Sequence, residues 1–234
     1  MFNSEYYLNL IRNQPIDYNG LKIGVISLKQ ICEYGIEKFD DLMLPFALSP
    51  SCFKTPIESI LCQCILMDLD LLHKFTELLS IAVHFKVCRP TPTHIDMTFE
   101  DGSEFRIDDS NFDDICDIIL KMNAKSKIRI EKEPQTKSAR KKDIWKKLVE
   151  GRKKFEERNK VHLYDMLNVC EFGGDYHIPI SEMDTWSLWK IGRCYQSRVG
   201  WKSYSDALDI ALVSGDSKNI TGEHHWHKQL MVRE

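Results

Sequence analysis

The residues best suited to hold a metal ion lie near the C-terminus, where three histidines surround a tryptophan in the segment 223–227. Imidazoles and carboxylates are the usual protein ligands of zinc and nickel, and Glu223 adds a carboxylate to this segment. Neighbouring residues in an irregular segment seldom converge on one ion without a ligand from elsewhere, and only His162 and His177 lie nearby. We therefore expect no metal and no cofactor, and keep as candidate ligands His224, His225 and His227.

Eight cysteines are scattered along the chain, and most of them adjoin apolar residues. They include no Cys-x-x-Cys pair and no Cys/His quartet of the kind that binds structural zinc. Cys62 and Cys64 are separated by one residue. Because each residue of a helix is rotated by about 100° from the one before, their sulfur atoms would point in different directions and could not bind a common ion. This usage predicts buried free thiols in a reducing compartment.

Catalytic signatures are absent from the sequence. It contains no Gly-x-Ser-x-Gly nucleophile motif and no glycine-rich phosphate loop. The pair Gly173-Gly174 lacks the lysine and the preceding strand of such a loop and is typical of a turn. Paired aspartates such as Asp113-Asp114 fall at predicted helix starts, where the helix dipole favours negative charge. The sequence therefore predicts a protein that is not an enzyme.

A basic segment is the strongest electrostatic feature. Residues 125–160 contain 15 Lys or Arg and 6 Asp or Glu, whereas the rest of the chain contains 17 and 29, so a net charge of −3 is the sum of opposite blocks. Such a segment can track phosphates, or it can form a solvated helix face that docks on an acidic surface. The candidate contact residues are Lys141, Lys142, Lys146, Lys147, Lys153 and Lys154.

Hydrophobic spacing in the first half predicts an α+β fold, mostly helical, with a small antiparallel sheet. Ser27 and Gln30 form a capping box, and Thr55-Pro56-Ile57-Glu58 predicts the start of a central helix that runs to about His84. Alternating residues around Asp101-Gly102 predict a β-hairpin. A helix follows through residues 112–122.

The second half predicts an all-helical module. A very basic helix carries the narrow apolar stripe Ile144, Trp145, Leu148, Val149 and Phe155, and another helix begins near Leu163. Ser181–Asp184 predicts a cap before a helix that carries Trp186 and Trp189. Gly200 is expected to break that helix, with a last helix from about Ser203 to Val213.

Composition also changes along the chain. All five tryptophans follow residue 140, six of the eight cysteines precede residue 125, and Glu131–Ala139 is polar and contains a proline. These shifts predict an acidic α+β domain over 1–124, a linker over 125–139, and a basic-to-aromatic helical domain with a polar C-terminal tail over 140–234.

The sequence favours a cytosolic location. Its longest uncharged apolar stretch, Leu42–Phe53, has twelve residues and two prolines, fewer than the roughly 20 needed to cross a bilayer. The N-terminal residues lack the apolar core of a secretory signal. We expect neither a membrane span nor export.

Several short motifs occur in an order that resembles one family. Gln14-Pro15-Ile16-Asp17-Tyr18-Asn19-Gly20 follows a short helix and leads into a strand, and Tyr34-Gly35-Ile36 lies in the next helix. The later motifs are Ile144-Trp145-Lys-Lys-Leu148-Val-Glu-Gly151, Leu163-Tyr-Asp165-Met166-Leu167, Asp184-Thr-Trp186-Ser-Leu188-Trp189 and Ala207–Gly215. Together they resemble tail assembly chaperones of long-tailed phages of Gram-positive bacteria, except around residues 85–125. The tail from Asp216, rich in His and Trp, departs from the family pattern.

The resemblance implies a non-catalytic protein of the host cytoplasm. Such chaperones coat the tape measure protein and keep its helices soluble until tail tube subunits displace the coat, and several families make a short and a frameshifted longer product. A chaperone of amphipathic helices needs an apolar groove. The candidate partner-binding residues are Leu72, Phe75, Leu79, Trp186 and Trp189. Self-association is a further option.

Two alternatives stay open. The aromatic stripe of Trp186, Trp189, Tyr195, Trp201 and Tyr204 can be the core of a small helical domain, or part of it can be an exposed anchor for a partner. The segment 137–160 can belong to a phage regulatory or nucleic-acid-binding protein, although no RNA-binding or zinc-finger signature accompanies it. The expected partners are therefore tape measure and tail tube proteins, and nucleic acid is the second choice.

Overall fold

The computed structural model describes residues 4–49, 52, 61–128, 138–174 and 176–214. Within them the chain forms eleven helices and five strands. The helices are α1 (Ser4–Arg12), α2 (Leu28–Tyr34), α3 (Ile36–Leu42), α4 (Leu44–Ala47), α5 (Leu61–Met67), α6 (Leu69–Ala82), α7 (Phe112–Met122), α8 (Ala139–Arg158), α9 (Leu163–Phe172), α10 (Ile180–Met183) and α11 (Leu188–Ser214). The strands are β1 (Ile16–Tyr18), β2 (Leu21–Ile23), β3 (Val87–Pro90), β4 (Ile95–Thr98) and β5 (Glu104–Ile107). The predicted mostly helical α+β class is confirmed.

The strands form two antiparallel sheets among the described residues. β1 pairs with β2 across Asn19 and Gly20, whose φ angles of 52° and 89° suit a tight hairpin turn. β4 lies between β3 and β5, and its turn to β5 contains Gly102 at φ 81°. The hairpin predicted around Asp101-Gly102 is thus present, and β3 adds a strand that the sequence did not predict.

The main core lies where α4, α6 and α7 meet. Phe75 of α6 stacks on Phe46 at 4.5 Å and on Phe112 at 5.2 Å between ring centroids. All three rings are fully buried, as is Leu79 one turn beyond Phe75. Stacked aromatic rings bury a large apolar area, so this column holds the N-terminal part of the fold together.

The central helix is interrupted, which the sequence did not predict. The structure ends α5 at Met67 and begins α6 at Leu69, because the Asp68 carboxylate accepts hydrogen bonds from the backbone N–H groups of Asp70 and Leu71. A side chain that satisfies these groups starts a new helix rather than continuing the old one. The predicted start at Thr55–Glu58 lies outside the described residues.

The C-terminal helices differ from the prediction at Gly200. α11 runs through this glycine without a break, whereas two helices were expected there. A glycine inside a helix costs only about 1 kcal/mol relative to alanine, and α11 packs along α9, so this cost does not end the helix. A second buried cluster in this region comprises Leu28, Cys170, Met183, Trp186 and Ile191.

Residues on the two sides of the predicted linker contact each other. The carbonyl oxygen of Trp186 accepts a hydrogen bond from the Leu28 N–H at 2.8 Å, and that of Asp184 accepts one from Lys29 at 3.0 Å. Leu28 itself belongs to the second buried cluster. The division into domains at 125–139 stays a prediction, and residues 129–137 of that linker lie outside the described part of the chain.

In the described ranges, we find no helix with both the length and the apolar character required to traverse a bilayer.

Candidate partner-binding surface

The basic helix α8 is an exposed element. It begins after Ser138, whose hydroxyl oxygen accepts a hydrogen bond from the Lys141 N–H, and none of its 20 residues is buried. Its apolar side chains are unusually open to solvent, with Ile144 48%, Leu148 58% and Phe155 67% exposed. We call these three residues the α8 stripe. Several exposed apolar side chains on one polar helix are typical of a site that another molecule covers.

The α8 stripe occupies a single side of the helix. Successive residues of an α-helix are rotated by about 100°, which places Ile144, Leu148 and Phe155 within about 40° of one another. Trp145 and Val149 lie on an adjacent side and are half-buried. The exposed and the half-buried apolar side chains therefore face different directions, and only the stripe is open to a partner.

The positive charge of α8 is concentrated on the same side as the stripe. The helix contains nine basic and four acidic residues. By the same rotation, the half of the helix centred on the stripe carries five basic residues and no acidic one. These are Arg140, Lys141, Lys147, Arg152 and Arg158. The opposite half carries four basic and four acidic residues, whose charges cancel. The net charge of +5 on α8 therefore lies on the half that contains the stripe.

The acidic side chains of α8 lie away from the stripe, although one of them pairs with a lysine that borders it. Asp143, Glu150 and Glu157 recur every seven residues and so align along the far side of the helix. Asp143 pairs with Lys147 at 2.9 Å, an exposed contact one turn apart. The surface presented by the stripe is thus complementary to an apolar helix face bordered by acidic residues.

Elsewhere the basic segment docks on the N-terminal part. Lys125 pairs with Asp40 at 2.8 Å, and Lys127 lies 3.0 Å from Asp113 and 3.3 Å from Asp117. These lysines precede α8 in the sequence. The acidic N-terminal part therefore pairs with the two lysines that begin the basic segment, whereas the docking expected of residues 137–160 stays a prediction.

A second exposed apolar surface lies at the end of α11. Ile210, Leu212 and Val213 are 61%, 80% and 91% exposed, and Trp201 lies two to three turns earlier on the same helix. The ring of Trp201 contacts that of Tyr204, with centroids 6.0 Å apart. Both of these exposed apolar segments are helical, and Met67 and Leu69 at the junction of α5 and α6 are exposed as well, at 76% and 81%.

A cavity of about 300 Å³ opens between α3, the end of α7 and the segment 160–166. Its wall includes Phe39 and Met166, together with the paired Asp40 and Lys125. Asn123 also lines the cavity. Its Nδ2 group donates a hydrogen bond to the carbonyl oxygen of Ile119, whereas its buried Oδ1 atom has no hydrogen-bond partner among the described residues.

The partner-binding residues predicted on the central helix belong to the core. Phe75 and Leu79 are fully buried, and Leu72 is partly buried against the same cluster. A partner could reach Phe75 and Leu79 only if the core opened. Their role in partner binding stays a prediction.

The two predicted tryptophans lie where the N-terminal and C-terminal parts meet. Trp186 is 8% exposed, and the Lys190 ammonium lies 4.4 Å from its ring centroid. The Trp189 ring is 6.4 Å from that of Tyr7 and packs against the main core. Both contacts are intramolecular, so these two tryptophans pack within the chain, whereas Trp201 of the same predicted stripe is 47% exposed. The role of Trp186 and Trp189 in partner binding stays a prediction.

The six predicted lysines all lie on α8, but on different sides of it. Lys141 and Lys147 border the stripe, whereas Lys142, Lys146, Lys153 and Lys154 lie on the opposite half. The sequence indicated the basic helix and its apolar residues. It could not show which of those residues the rest of the chain would leave uncovered.

Metal ligands do not cluster in the part of the chain that the structure describes, where no three His, Cys, Asp or Glu side chains are placed to hold an ion. The candidates His224, His225 and His227 lie outside that part. The expectation of no metal therefore stays a prediction.

Comparison with known proteins adds no relative to this description. No protein-family model, curated protein or solved structure matches the chain.

Proposed function

We propose that this protein is a non-catalytic tail assembly chaperone of a long-tailed phage, and that α8 binds helical segments of the tape measure protein in the host cytoplasm. The observation that carries the proposal is the α8 stripe: Ile144, Leu148 and Phe155 are exposed on the side of the helix that holds all of its net positive charge. The family resemblance supplies the identity of the partner.

The geometry of α8 suits a helical partner. Twenty residues of helix extend about 30 Å, long enough to lie along several turns of another helix. Apolar side chains on one side of each helix would pack together, and the bordering Arg and Lys side chains would pair with acidic residues of the partner. We therefore expect α8 to select segments that combine an apolar stripe with Asp or Glu at its borders.

Reversibility follows from the same chemistry. A chaperone must release its client when tail tube subunits arrive, and a single helix face buries a modest apolar area. Charge pairs at the rim of such a contact chiefly affect the association rate and the choice of partner. A short stripe bordered by charge can thus bind a helix and still yield to a competing subunit.

Nucleic-acid binding is the second candidate, favoured by the net charge of +5 on one exposed helix. Contacts to phosphate require positive charge but no apolar stripe. The two candidates therefore differ in whether the apolar side chains matter.

Co-expression with the tape measure protein of the same phage tests the proposal. We expect one soluble complex of defined stoichiometry on a sizing column, and we expect the variant I144S/L148S/F155S to lose it. These side chains are exposed, so the variant should keep the helical circular dichroism of the parent. If the parent and the tape measure protein elute as they do alone, the proposal is wrong. Salt-sensitive retention on a DNA column, unchanged in the variant, would favour the second candidate.

A further inference from the structure

Two cysteine side chains meet where α9 packs on α11. Cys170 of α9 is fully buried, and its sulfur lies 3.5 Å from the carbonyl oxygen of Ile191. Cys194, one turn after Ile191, is partly exposed and packs against the same buried cluster as Cys170. The two thiols therefore lie in one contact between α9 and α11 although 24 positions separate them in the sequence.

Arg198 is fixed beside Cys194. It follows Cys194 by one helical turn, and its positive charge lowers the pKa of that thiol. Its guanidinium group also donates to the carbonyl oxygens of Tyr176 at 2.7 Å and Val169 at 3.4 Å. A Cβ atom at Gly174 would lie 3.1 Å from the guanidinium, so this position leaves room for the arginine. The positive charge is thus held in place by α9 and the segment after it.

The surroundings make the two thiols different. The interaction with the Cys170 side chain contributes most to the lowered pKa of Cys194. Partial burial raises that pKa, whereas the positive charges of Arg198 and Lys190 lower it further. The same interaction, together with burial, raises the pKa of Cys170. A partly exposed thiolate beside a buried thiol has the arrangement of an attacking and a resolving cysteine.

We propose that Cys170 and Cys194 form a redox-active dithiol that low-molecular-weight disulfides convert to an intramolecular disulfide between α9 and α11. This inference is independent of the proposed function, because it involves no residue of α8.

The reaction consists of two exchanges. The Cys194 thiolate attacks one sulfur of the small disulfide, whose S–S bond breaks; a mixed disulfide forms on Cys194, and the first small thiolate leaves and takes a proton from water. Cys170 then gives its proton to water and attacks the Cys194 sulfur, which forms the Cys170–Cys194 bond and releases the second small thiolate. The two protein thiols are oxidised by two electrons, and the small disulfide is reduced to two thiols.

The other buried thiols offer a contrast. Burial raises the pKa of Cys62 to about 12 and raises that of Cys116 as well. The acidic residues Asp109 and Asp113 near these two cysteines raise the values further. Both thiols stay protonated at neutral pH and should react slowly with disulfides.

Glutathione disulfide and mass spectrometry of the full chain test the inference. After treatment at neutral pH and alkylation of the remaining thiols, tryptic peptides 161–190 and 194–198 should be joined by a disulfide. The variant C170S should instead accumulate one glutathione on peptide 194–198. The variant C194S should leave Cys170 unmodified, with circular dichroism as a control for folding.

Reaction rates in the protein without substitutions test the inference even if a variant fails to fold. The inference is supported if the joined peptides form at least about tenfold faster than glutathione adds to Cys62 or Cys116. It is overturned if the joined peptides do not form, or if glutathione adds to Cys194 no faster than to those two buried cysteines.

Discussion

The Asn13 side chain donates a hydrogen bond to the carbonyl oxygen of Thr185 at 2.6 Å, across 172 positions of sequence. Its Oδ1 atom also accepts a hydrogen bond from the Ser187 N–H at 3.1 Å. One amide therefore joins the end of α1 to the turn that precedes α11. Asn13 has a φ of 58°, a conformation that asparagine and glycine tolerate best.

Replacement of Asn13 tests this connection. Asn13→Gly keeps the backbone conformation but removes both hydrogen bonds, so we expect the free energy of unfolding to fall by about 1–3 kcal/mol. Asn19→Gly, at a φ of 52° in the β1–β2 turn, is the matched control and should change it by less than about 1 kcal/mol. Urea unfolding curves followed by circular dichroism provide the measurement. Equal effects of the two substitutions would show that the Asn13 side chain contributes no special stability.

The break between α5 and α6 leads to a second prediction. Asp68→Ala removes the carboxylate that accepts from the N–H groups of Asp70 and Leu71, and we expect a loss of about 1 kcal/mol in stability. Asp70→Ala removes an exposed ion pair with Lys74 and a negative charge in the first turn of α6, and should cost less than the loss of the cap in Asp68→Ala. Thermal unfolding of the two variants distinguishes a cap from a general charge effect, since a larger loss in Asp70→Ala would contradict the assignment.

The pH dependence of Cys194 alkylation gives a third prediction. A lowered pKa means that the thiolate persists to lower pH, so the half-maximal rate should lie below the ordinary cysteine value of about 8.5. The groups that face this thiol are Cys170 on α9 and Arg198 and Lys190 on α11. Arg198→Gln should move the half-maximal rate to higher pH, because it removes one of the charges that stabilise the thiolate.

Iodoacetamide labelling of peptide 194–198, quantified by mass spectrometry across pH 5–9.5, measures that profile. The Arg198→Gln variant lacks the tryptic cleavage site after residue 198, so the labelled peptide to quantify in that variant is 194–202. A half-maximal rate at or above about pH 8.5 in the unchanged protein would contradict the predicted stabilisation of the thiolate.

Local signals in the sequence predicted much of the fold. The capping box of Ser27 and Gln30 is present, with Gln30 Oε1 accepting from the Ser27 N–H at 2.9 Å and the Ser27 hydroxyl accepting from the Gln30 N–H at 3.3 Å. The turn at Gly102 is also where the Asp-Gly pair placed it. Such features depend on a few neighbouring residues, so the sequence contains the information that defines them.

Features that depend on distant contacts could not be predicted in this way. Gly200 stays helical because α11 packs on α9, and β3 becomes a strand because β4 supplies its hydrogen-bonding partner. The contact between Cys170 and Cys194 likewise requires that packing. One clue was available: Cys194 and Arg198 are spaced by four residues, so a helix would place them together.

The candidate surface shows the same limit. Periodicity predicted a basic helix with one apolar stripe of Ile144, Trp145, Leu148, Val149 and Phe155, but exposure depends on whether other elements cover each of these side chains, and three of them are exposed. Phe75 illustrates the opposite outcome, since its apolar helix face is covered by α4 and α7. A helical pattern of apolar residues is therefore equally consistent with a core and with a binding surface until packing is known.

The most direct test of the proposed function compares two pairs of lysines on α8. The variants K141E/K147E and K146E/K153E change the same residue type, on the same helix, by the same total charge, but only the first pair borders the α8 stripe. Each is co-expressed with the tape measure protein, and the amount of complex is measured at several salt concentrations. We expect K141E/K147E to weaken binding about tenfold and K146E/K153E less than about twofold. Equal losses in the two variants, or no loss in either, would contradict the proposal that the stripe side of α8 binds the tape measure protein.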